Sequence, residues 1–115
     1  MANPFLSENT IIKAVKQYNT KKLPVFSANL IKSRLYDQNI YPINHDIKHL
    51  IQTQDLPPIY EENSCFYIFK KAEFLVNKSR IFKNSLPYVI NKIESIDIDT
   101  EEDWNLAETI SKGIF

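Results

Sequence analysis

The stretch Ile96-Asp-Ile-Asp-Thr-Glu-Glu-Asp103 changes its periodicity halfway along, and the rest of the chain is organised around it. Two isoleucines alternate with Asp97 and Asp99, and successive side chains of a strand point to opposite faces. The pattern therefore predicts a strand with one apolar face and one acidic face. From Thr100 the pattern is helical, so the carboxylate pair is expected where a strand ends and a helix begins. Ligands bind at such places in open α/β sheets.

A helix is predicted from Thr100 onward. Thr100 can cap its first turn and Asp103, three residues later, completes a capping box, while Glu101 and Glu102 lie where the helix dipole favours negative charge. One face of this helix is expected to be an apolar stripe, made of Trp104, Leu106, Ala107, Ile110 and Ile114.

The carboxylate pair allows two interpretations. In the structural one, Asp99 belongs to the helix cap and Asp97 is a solvated surface charge. In the functional one, both carboxylates hold a Mg²⁺ that a substrate phosphate also binds, because Mg²⁺ favours one or two carboxylates together with phosphate oxygens and water. A matching pocket from another segment would decide between them.

Length and charge limit the classes of function. The 115 residues form one domain at most, 1–115, which can bury roughly two thirds of its unfolded surface. Fourteen basic residues balance fourteen acidic ones. This balance gives no electrostatic footprint for nucleic acid or for an anionic membrane, so neither is expected as a partner.

Cysteine and glycine usage narrows the classes further. Cys65 lies in an apolar run and is expected to be a buried small hydrophobe, with no base nearby to make it catalytic. No internal disulfide, signal peptide or membrane-spanning run is recognisable, so we expect a soluble, intracellular, cytoplasmic protein. The one glycine, Gly113, lies near the C-terminus, so the chain carries no glycine-rich phosphate loop.

The first third of the chain predicts a helix followed by a strand. Ser7 can cap a helix that Lys21 and Lys22 close favourably, and Pro24 helps to end it. Residues 25–29 then form a short strand, as in an αβ unit of a layered sheet. The apolar positions of the helix are Ile11, Ala14, Val15 and Tyr18.

Polar residues dominate the middle of the chain. Lys32 and Arg34 are expected to be solvated, although they could present positive charge on one face. Residues 39–54 predict a loop or an excursion from the sheet. His45 and His49 stand four apart within it, but no third metal ligand accompanies them, so a structural or surface role is expected.

Proline enforces an extended segment before the next strand. Pro57 and Pro58 keep the preceding residues out of helix and deliver the chain to Asn63. Residues 65–69 are apolar on both faces, which is typical of a central buried strand. A short helix at 72–76 and a strand at 88–90 are predicted to follow.

Two segments carry a specific resemblance. They are Gln54-Asp-Leu-Pro-Pro-Ile-Tyr-Glu-Glu-Asn63, which runs into an apolar strand, and Ile93-Glu-Ser-Ile-Asp-Ile-Asp-Thr-Glu-Glu-Asp103. Both closely resemble the acylneuraminate cytidylyltransferases, the CMP-sialic acid synthetases and their relatives acting on other nonulosonic acids and on KDO. Asn3-Pro-Phe-Leu-Ser7 and Arg34-Leu-Tyr-Asp37 also look like the family. The similarity covers essentially the whole chain but only the C-terminal half of such an enzyme.

The resemblance implies a fold and a reaction. The fold is an α/β nucleotide-diphosphosugar-transferase sheet of Rossmann-like type, here truncated because the N-terminal βαβ units are absent. The reaction is Mg²⁺-dependent transfer of CMP from CTP to an acidic sugar, with release of pyrophosphate. By this resemblance Asp97 and Asp99 are the catalytic, metal-binding carboxylates, and Gln54 and Asn63 bind the sugar. The resemblance also implies that residues 39–54 correspond to a dimerisation arm. It adds the nucleus to the cytoplasm as an expected location of the protein.

The sequence also departs from the family pattern. The N-terminal phosphate loop and the first strands are absent, Gln52-Thr53 stands where an arginine is frequent, and Ser64 replaces the usual glycine after Asn63. Two functions therefore remain open. The chain is either the C-terminal part of a cytidylyltransferase that needs a separate N-terminal half, or a non-catalytic remnant that associates through the arm. Uncovered strand edges and apolar surface predict self-association or a partner in both cases.

Overall fold

A three-stranded mixed sheet carries the fold in the computed structural model, which describes residues 2–114 apart from the side chain of Ile114. The strands are β1 (Val25–Ile31), β2 (Ile59–Ile68) and β3 (Leu86–Val89), in the spatial order β2-β1-β3. Strands β1 and β3 are parallel. The helices are α1 (Glu8–Lys21), α2 (Lys71–Asn77) and α3 (Glu101–Ile114). The predicted α/β class is confirmed, whereas the Rossmann-like nucleotidyltransferase sheet stays a prediction.

The chain divides into two compact units. The first contains the residues up to Asn29 and those from Glu62 onward, and the second is Leu30–Glu61. The predicted arm at 39–54 falls inside the second unit. No helix among residues 2–114 combines the length and the apolar character needed to cross a membrane.

Helix α1 and strand β1 form where the sequence predicts them, and capping residues mark both ends of α1. The Ser7 side chain accepts a hydrogen bond from the Thr10 backbone N–H, which satisfies one of the free donors of the first turn. Lys22 ends the helix in the left-handed conformation, and its N–H donates to the Tyr18 carbonyl. Ala14 is the fully buried member of the predicted stripe, while Ile11 and Val15 are more than one third exposed. The core of the first unit is therefore small.

The predicted central position of the 65–69 strand is wrong. This segment belongs to β2, which lies at the edge of the sheet, and β1 occupies the centre. None of the β2 residues is fully buried. The reason is packing: Ser27 and Ala28 of β1 are completely buried, and such small side chains let neighbours approach from both sides. The helix predicted at 72–76 and the strand predicted at 88–90 are confirmed as α2 and β3.

The predicted strand at 96–99 is also wrong. A hydrogen-bonded turn at 92–95 follows β3, and Asn91 closes it by accepting from the Glu94 N–H through its side chain. The chain is thereby turned out of the sheet before Ile96. The segment then contacts the N-terminal residues instead, since the Ile98 N–H donates to the Ala2 carbonyl. The alternation argument that placed Asp97 and Asp99 on one strand face does not apply to this backbone.

Helix α3 begins with the predicted capping box. The Asp103 N–H donates to Thr100 Oγ1 at 3.1 Å, and the Thr100 N–H donates to Asp103 Oδ2 at 3.2 Å. The predicted stripe is only partly buried, because Ala107 is inside while Trp104 is 58% and Leu106 is 54% exposed. Trp104 and Ala107 help to line an open cavity of about 440 Å³, together with Pro4, Phe5 and Ile98. The side chain of Ile114, the last predicted member, lies outside the described residues.

The second unit is irregular, as predicted for residues 39–54. Hydrogen bonds from polar side chains to backbone carbonyls hold its segments together. Lys32 Nζ donates to the Gln54 carbonyl at 2.8 Å, and the Arg34 guanidinium donates to the Ile51 carbonyl at 2.5 Å. These two cations hold backbone and do not present charge on one face. His49 pairs with Asp46 at 2.8 Å, and the His45 ring packs edge-on against Tyr36. The structural or surface role expected for both histidines is thus consistent with their contacts.

Candidate functional site

The candidate site lies where the parallel strands β1 and β3 end. Asn29 lies near the end of β1. Ile90 directly follows β3, and its N–H donates to the Ala28 carbonyl. Ligands of α/β sheets bind outside the carboxyl ends of parallel strands, since the loops that follow the strands converge there. The turn at 92–95 and the Asp97–Asp99 segment both follow from this edge.

Asn63 reaches this edge from β2, the neighbouring strand. Its Nδ2 donates to Asn29 Oδ1 at 3.2 Å, and its Oδ1 accepts from the Cys65 backbone N–H at 3.3 Å. The amide carries two donors, and its second N–H has no hydrogen-bond partner among the described residues. Asn63 therefore lies at the carboxyl edge of the parallel strands, and its sugar-binding role stays a prediction.

Asn29 forms the centre of a polar network. It is 8% exposed, and its Nδ2 donates to the Ile90 carbonyl at 3.2 Å and to Ser95 Oγ at 3.0 Å. With the bond that it accepts from Asn63, one buried amide contacts β2, the residue that follows β3 and the turn before Asp97. Buried amides are costly when unpaired, so this arrangement is stable only with all partners in place.

Asp97 follows Ser95, a member of this network, by two residues. It is half-buried, and its Oδ1 accepts from the Ala2 N–H at 3.1 Å. Burial raises the pKa of the Cys65 thiol, and the negative charges of Asp97 and Glu94 raise it further.

Asp99 is attached to α3 instead. It is exposed, and its backbone N–H donates to Asp103 Oδ2 at 3.1 Å. Its carboxylate accepts no hydrogen bond from another residue in the described part of the chain. A shared metal site with Asp97 stays a prediction, as does the catalytic role of both.

The donor set agrees with the chemistry of Mg²⁺. Within residues 2–114, no three histidine, cysteine, aspartate or glutamate side chains gather at a metal-binding distance. Two carboxylates are nevertheless the number that Mg²⁺ commonly takes from protein, with substrate phosphates and water completing its octahedron. The residue types are therefore compatible with Mg²⁺, and a site shared by Asp97 and Asp99 stays a prediction.

Gln54 belongs to the second unit. It lies in the 3₁₀ turn Thr53–Asp55, is exposed, and donates through Nε2 to Gln52 Oε1 at 2.8 Å. Its backbone carbonyl accepts from Lys32. The predicted sugar-binding role of Gln54 stays a prediction.

Asn29 and Ser95 are site residues that sequence reasoning missed. A weak signal existed: Asn29 is the polar amide of an otherwise apolar and small-residue strand, Val-Phe-Ser-Ala-Asn-Leu-Ile. A polar side chain inside a buried strand must find a partner, so its presence points to a network. The identity of that partner was not readable from the chain.

Ser64, which replaces the usual glycine after Asn63, has an unusual backbone conformation. Its φ is 61°, the left-handed region that glycine adopts without steric cost. The position after Asn63 thus has the conformation that favours the glycine usual in the resembling enzymes.

Comparison with known proteins supports the resemblance. No family model matches the chain. The chain is 28% identical over 117 residues to the N-acylneuraminate cytidylyltransferase of Escherichia coli, a match that covers 96% of this chain and 28% of that enzyme. It is 43% identical over 54 residues to the CMP-N,N'-diacetyllegionaminic acid synthase of Legionella pneumophila, covering 46% and 23%. The enzyme of the same name in Campylobacter jejuni is 36% identical over 55 residues, covering 48% and 23%.

These relatives confirm the resemblance seen in the motifs. The chain spans about a quarter of the length of the curated relatives that it matches. Their names place the similarity among enzymes that make CMP-activated acidic sugars.

Proposed function

We propose that this chain is the C-terminal part of a cytidylyltransferase that makes CMP-activated acidic sugars and is complete only with an N-terminal half. The observation that carries the proposal is the placement of Asn63 at the carboxyl edge of the parallel strands, joined through Asn29 to the turn that precedes Asp97. Asn63 ends one of the two segments that resemble the family, 54–63, and the other segment, 93–103, follows this edge along the chain. Asn63 and residues 93–103 belong to the same unit. The chain's partial match to the relatives agrees with a fragment of the enzyme.

The chain's own residues would bind and orient the sugar and the metal. Asn63 offers a free amide N–H to a sugar oxygen, and Asp97 and Asp99 would hold Mg²⁺. An ion held by these carboxylates would supply positive charge to offset the charge that develops on the phosphates during nucleotidyl transfer. Asn29 and Ser95 keep the binding segments in register. CTP and an acidic nonulosonic or KDO-type sugar are the substrates of this proposal.

A glycine-rich phosphate loop must come from elsewhere in this proposal. The sequence contains no glycine-rich loop for a triphosphate, because its one glycine, Gly113, lies in α3. An N-terminal half that carries the loop would supply this part.

A second candidate function rests on the second unit. Ile40, Tyr41, Ile43 and Leu50 are large apolar side chains that are all more than half exposed there. Ile40 also has a φ of 64°, a costly conformation for a β-branched residue. Exposed apolar side chains on a short, locally hydrogen-bonded arm favour contact with another protein. The alternative is therefore a non-catalytic protein that associates through residues 39–54.

Reconstitution distinguishes the two functions. The chain alone, and the chain mixed with a purified N-terminal half that bears the phosphate loop, are incubated with CTP, N-acetylneuraminate and Mg²⁺. CMP-sugar is then measured by anion-exchange chromatography. A mixture that contains the Asp97→Asn and Asp99→Asn double variant serves as the control for contaminating synthetase.

The outcomes separate the hypotheses. Product from the wild-type mixture only supports the cytidylyltransferase. A stable complex that forms no product with any acidic sugar tested supports the associating remnant.

A further inference from the structure

One buried amide contacts both segments that the proposed site needs. Asn29 Oδ1 accepts from Asn63, a predicted sugar-binding residue, and Asn29 Nδ2 donates to Ser95, which lies two residues before Asp97. The partners are 34 and 66 residues from Asn29 along the chain. Their relative positions are therefore not set by chain connectivity.

The hydrogen-bond capacities fix the orientation of each group. Asn29 Nδ2 has two hydrogens, and both are used, one on the Ile90 carbonyl and one on Ser95 Oγ. Its Oδ1 must then face Asn63, which turns the Asn63 Nδ2 inward and its Oδ1 toward the Cys65 N–H. Ser95 Oγ in turn donates to the Lys92 carbonyl and so braces the turn. None of these groups can rotate alone without leaving a buried partner unpaired.

We infer that Asn29 is a positioning residue that locks the Asn63 amide and the Asp97-bearing segment into one register. It touches neither substrate nor metal, and its effect passes through Asn63 and Ser95. The inference rests on the proposed function for its catalytic consequence, whereas the coupling of the two segments is testable without activity.

Ser27 provides a matched control. It lies two residues earlier on β1, is completely buried, and accepts from the Phe66 N–H of β2 at 2.9 Å. Ser27→Ala therefore removes a buried side-chain hydrogen bond between the same two strands without touching Asn63 or Ser95. Both Asn29→Ala and Ser27→Ala are expected to destabilise the fold, so a general loss of stability appears in both.

The first measurement uses the full chain and amide NMR. In Asn29→Ala, the side-chain NH₂ resonances of Asn63 and the backbone amides of residues 95–98 are expected to shift together. In Ser27→Ala, these resonances are expected to stay near their wild-type positions, with shifts confined to the neighbourhood of Phe66. Shifts at one segment only in Asn29→Ala, or the same pattern in both variants, overturn the coupling.

The second measurement uses the reconstituted mixture. Asn29→Ala is expected to raise the KM for the acidic sugar by about tenfold, because a misoriented Asn63 binds the ground state and the transition state less well. The KM for CTP should rise as well, because the Asp97-bearing segment, which would hold the metal shared with CTP, loses its register. Ser27→Ala should lower only the concentration of active protein, with both KM values unchanged. An unchanged sugar KM in Asn29→Ala overturns the positioning role.

The two proposals fail in different ways. If the wild-type mixture makes no CMP-sugar, the proposed function is what fails, and the NMR pattern still decides the coupling. Asn29→Ala that does not fold is replaced by Ser95→Ala, which removes one link of the network. In that variant, movement of the Asn63 side-chain resonances supports the coupling and their constancy overturns it.

Discussion

Ser64 shows how a single backbone angle limits the choice of residue. A side chain at φ 61° brings its Cβ close to the following carbonyl, at a cost of about 1–2 kcal/mol. The surrounding strand forces this angle, since Ser64 lies between Asn63, which is bound to Asn29, and Cys65, which donates to Asn63. Glycine at this position would relieve the contact.

Ser64→Gly is expected to raise the free energy of unfolding by about 0.5–1 kcal/mol. Steric relief of about 1–2 kcal/mol exceeds the extra entropy that glycine gives the unfolded chain, about 0.4–1 kcal/mol. Urea denaturation followed by circular dichroism measures the change. Both variants lose the hydroxyl near Tyr67 Oη, but Ser64→Ala keeps the Cβ, so it should not stabilise. Equal stability of the alanine and glycine variants would contradict the explanation.

Asp99→Asn is expected to lower turnover of the reconstituted enzyme by roughly a hundredfold or more. This is the scale of losing one major electrostatic contact to a developing charge. Steady-state CMP-sugar formation at saturating CTP and Mg²⁺ measures it. Glu102→Gln, one turn into the same acidic segment but outside the predicted pair, should leave turnover near the wild-type value. Unchanged turnover in Asp99→Asn would remove Asp99 from the site.

At the scale of elements, Glu94 joins the start of α1 to the turn after β3. Its Oε1 accepts from Thr10 Oγ1 at 2.6 Å and from the Ser7 N–H at 3.3 Å. Burial acts on the pKa of Glu94 most strongly and would raise it, but the hydrogen bonds from Thr10 and Ser7 together outweigh burial and lower the pKa. The ionised carboxylate thus holds a helix terminus that carries positive partial charge.

The lowered pKa of Glu94 predicts a pH dependence of stability. The folded state binds this proton more weakly than the unfolded state, whose pKa is near 4.5, so the stabilisation is present above that value. It is lost as the pH falls through the lowered pKa of the folded state. Free energies of unfolding at several values between pH 7 and pH 3 measure it.

Glu94→Gln isolates this contribution. The loss of stability between pH 7 and pH 3 should be smaller in this variant than in the wild type. Glu61→Gln, at an exposed position of β2, removes the same charge without touching α1 and should leave the wild-type dependence in place. Identical pH profiles for wild type and Glu94→Gln would show that the contact adds no stability in solution.

At the scale of the whole molecule, exposed apolar side chains are numerous for a chain of this length. Among the side chains of residues 2–113, nineteen large hydrophobic ones are exposed, whereas six hydrophobic ones are buried, three of them alanines. A monomer rarely leaves so much apolar surface in water. Both edges of the three-stranded sheet are formed by strands without a further neighbour among the described residues.

Self-association is therefore expected at micromolar concentration. Sedimentation velocity should show dimers or larger species, and the Ile40→Asn and Leu50→Asn double variant should shift the distribution toward monomer. Asparagine suits position 40 because it tolerates the left-handed conformation of Ile40. Val76→Asn, 81% exposed on α2, is the control and should leave the distribution unchanged. A monodisperse wild-type monomer would contradict the expectation.

Local patterns predicted the elements that depend on neighbours in sequence. The caps at Ser7 and Thr100 use hydrogen bonds between residues three apart, so the pattern of serine, threonine and aspartate is sufficient to locate them. Alternation failed at 96–99 because the same Ile-Asp pattern fits any extended chain, and the Asn91 turn decides whether that chain pairs. The prediction that β2 is a central buried strand failed, because an apolar run does not tell which strand lies between two others.

The sequence by itself determined the helices, the extended segments, the acidic start of α3 and the resemblance to enzymes that make CMP-sugars. These depend on spacing and residue type, which are fully present in the chain. Only the tertiary structure decided that β1 is central, that 96–99 contacts the N-terminal residues, and that Asn29 joins Asn63 to Ser95. The physical reason is that buried hydrogen bonds between residues far apart in sequence are chosen by packing, and packing is a property of the folded chain as a whole.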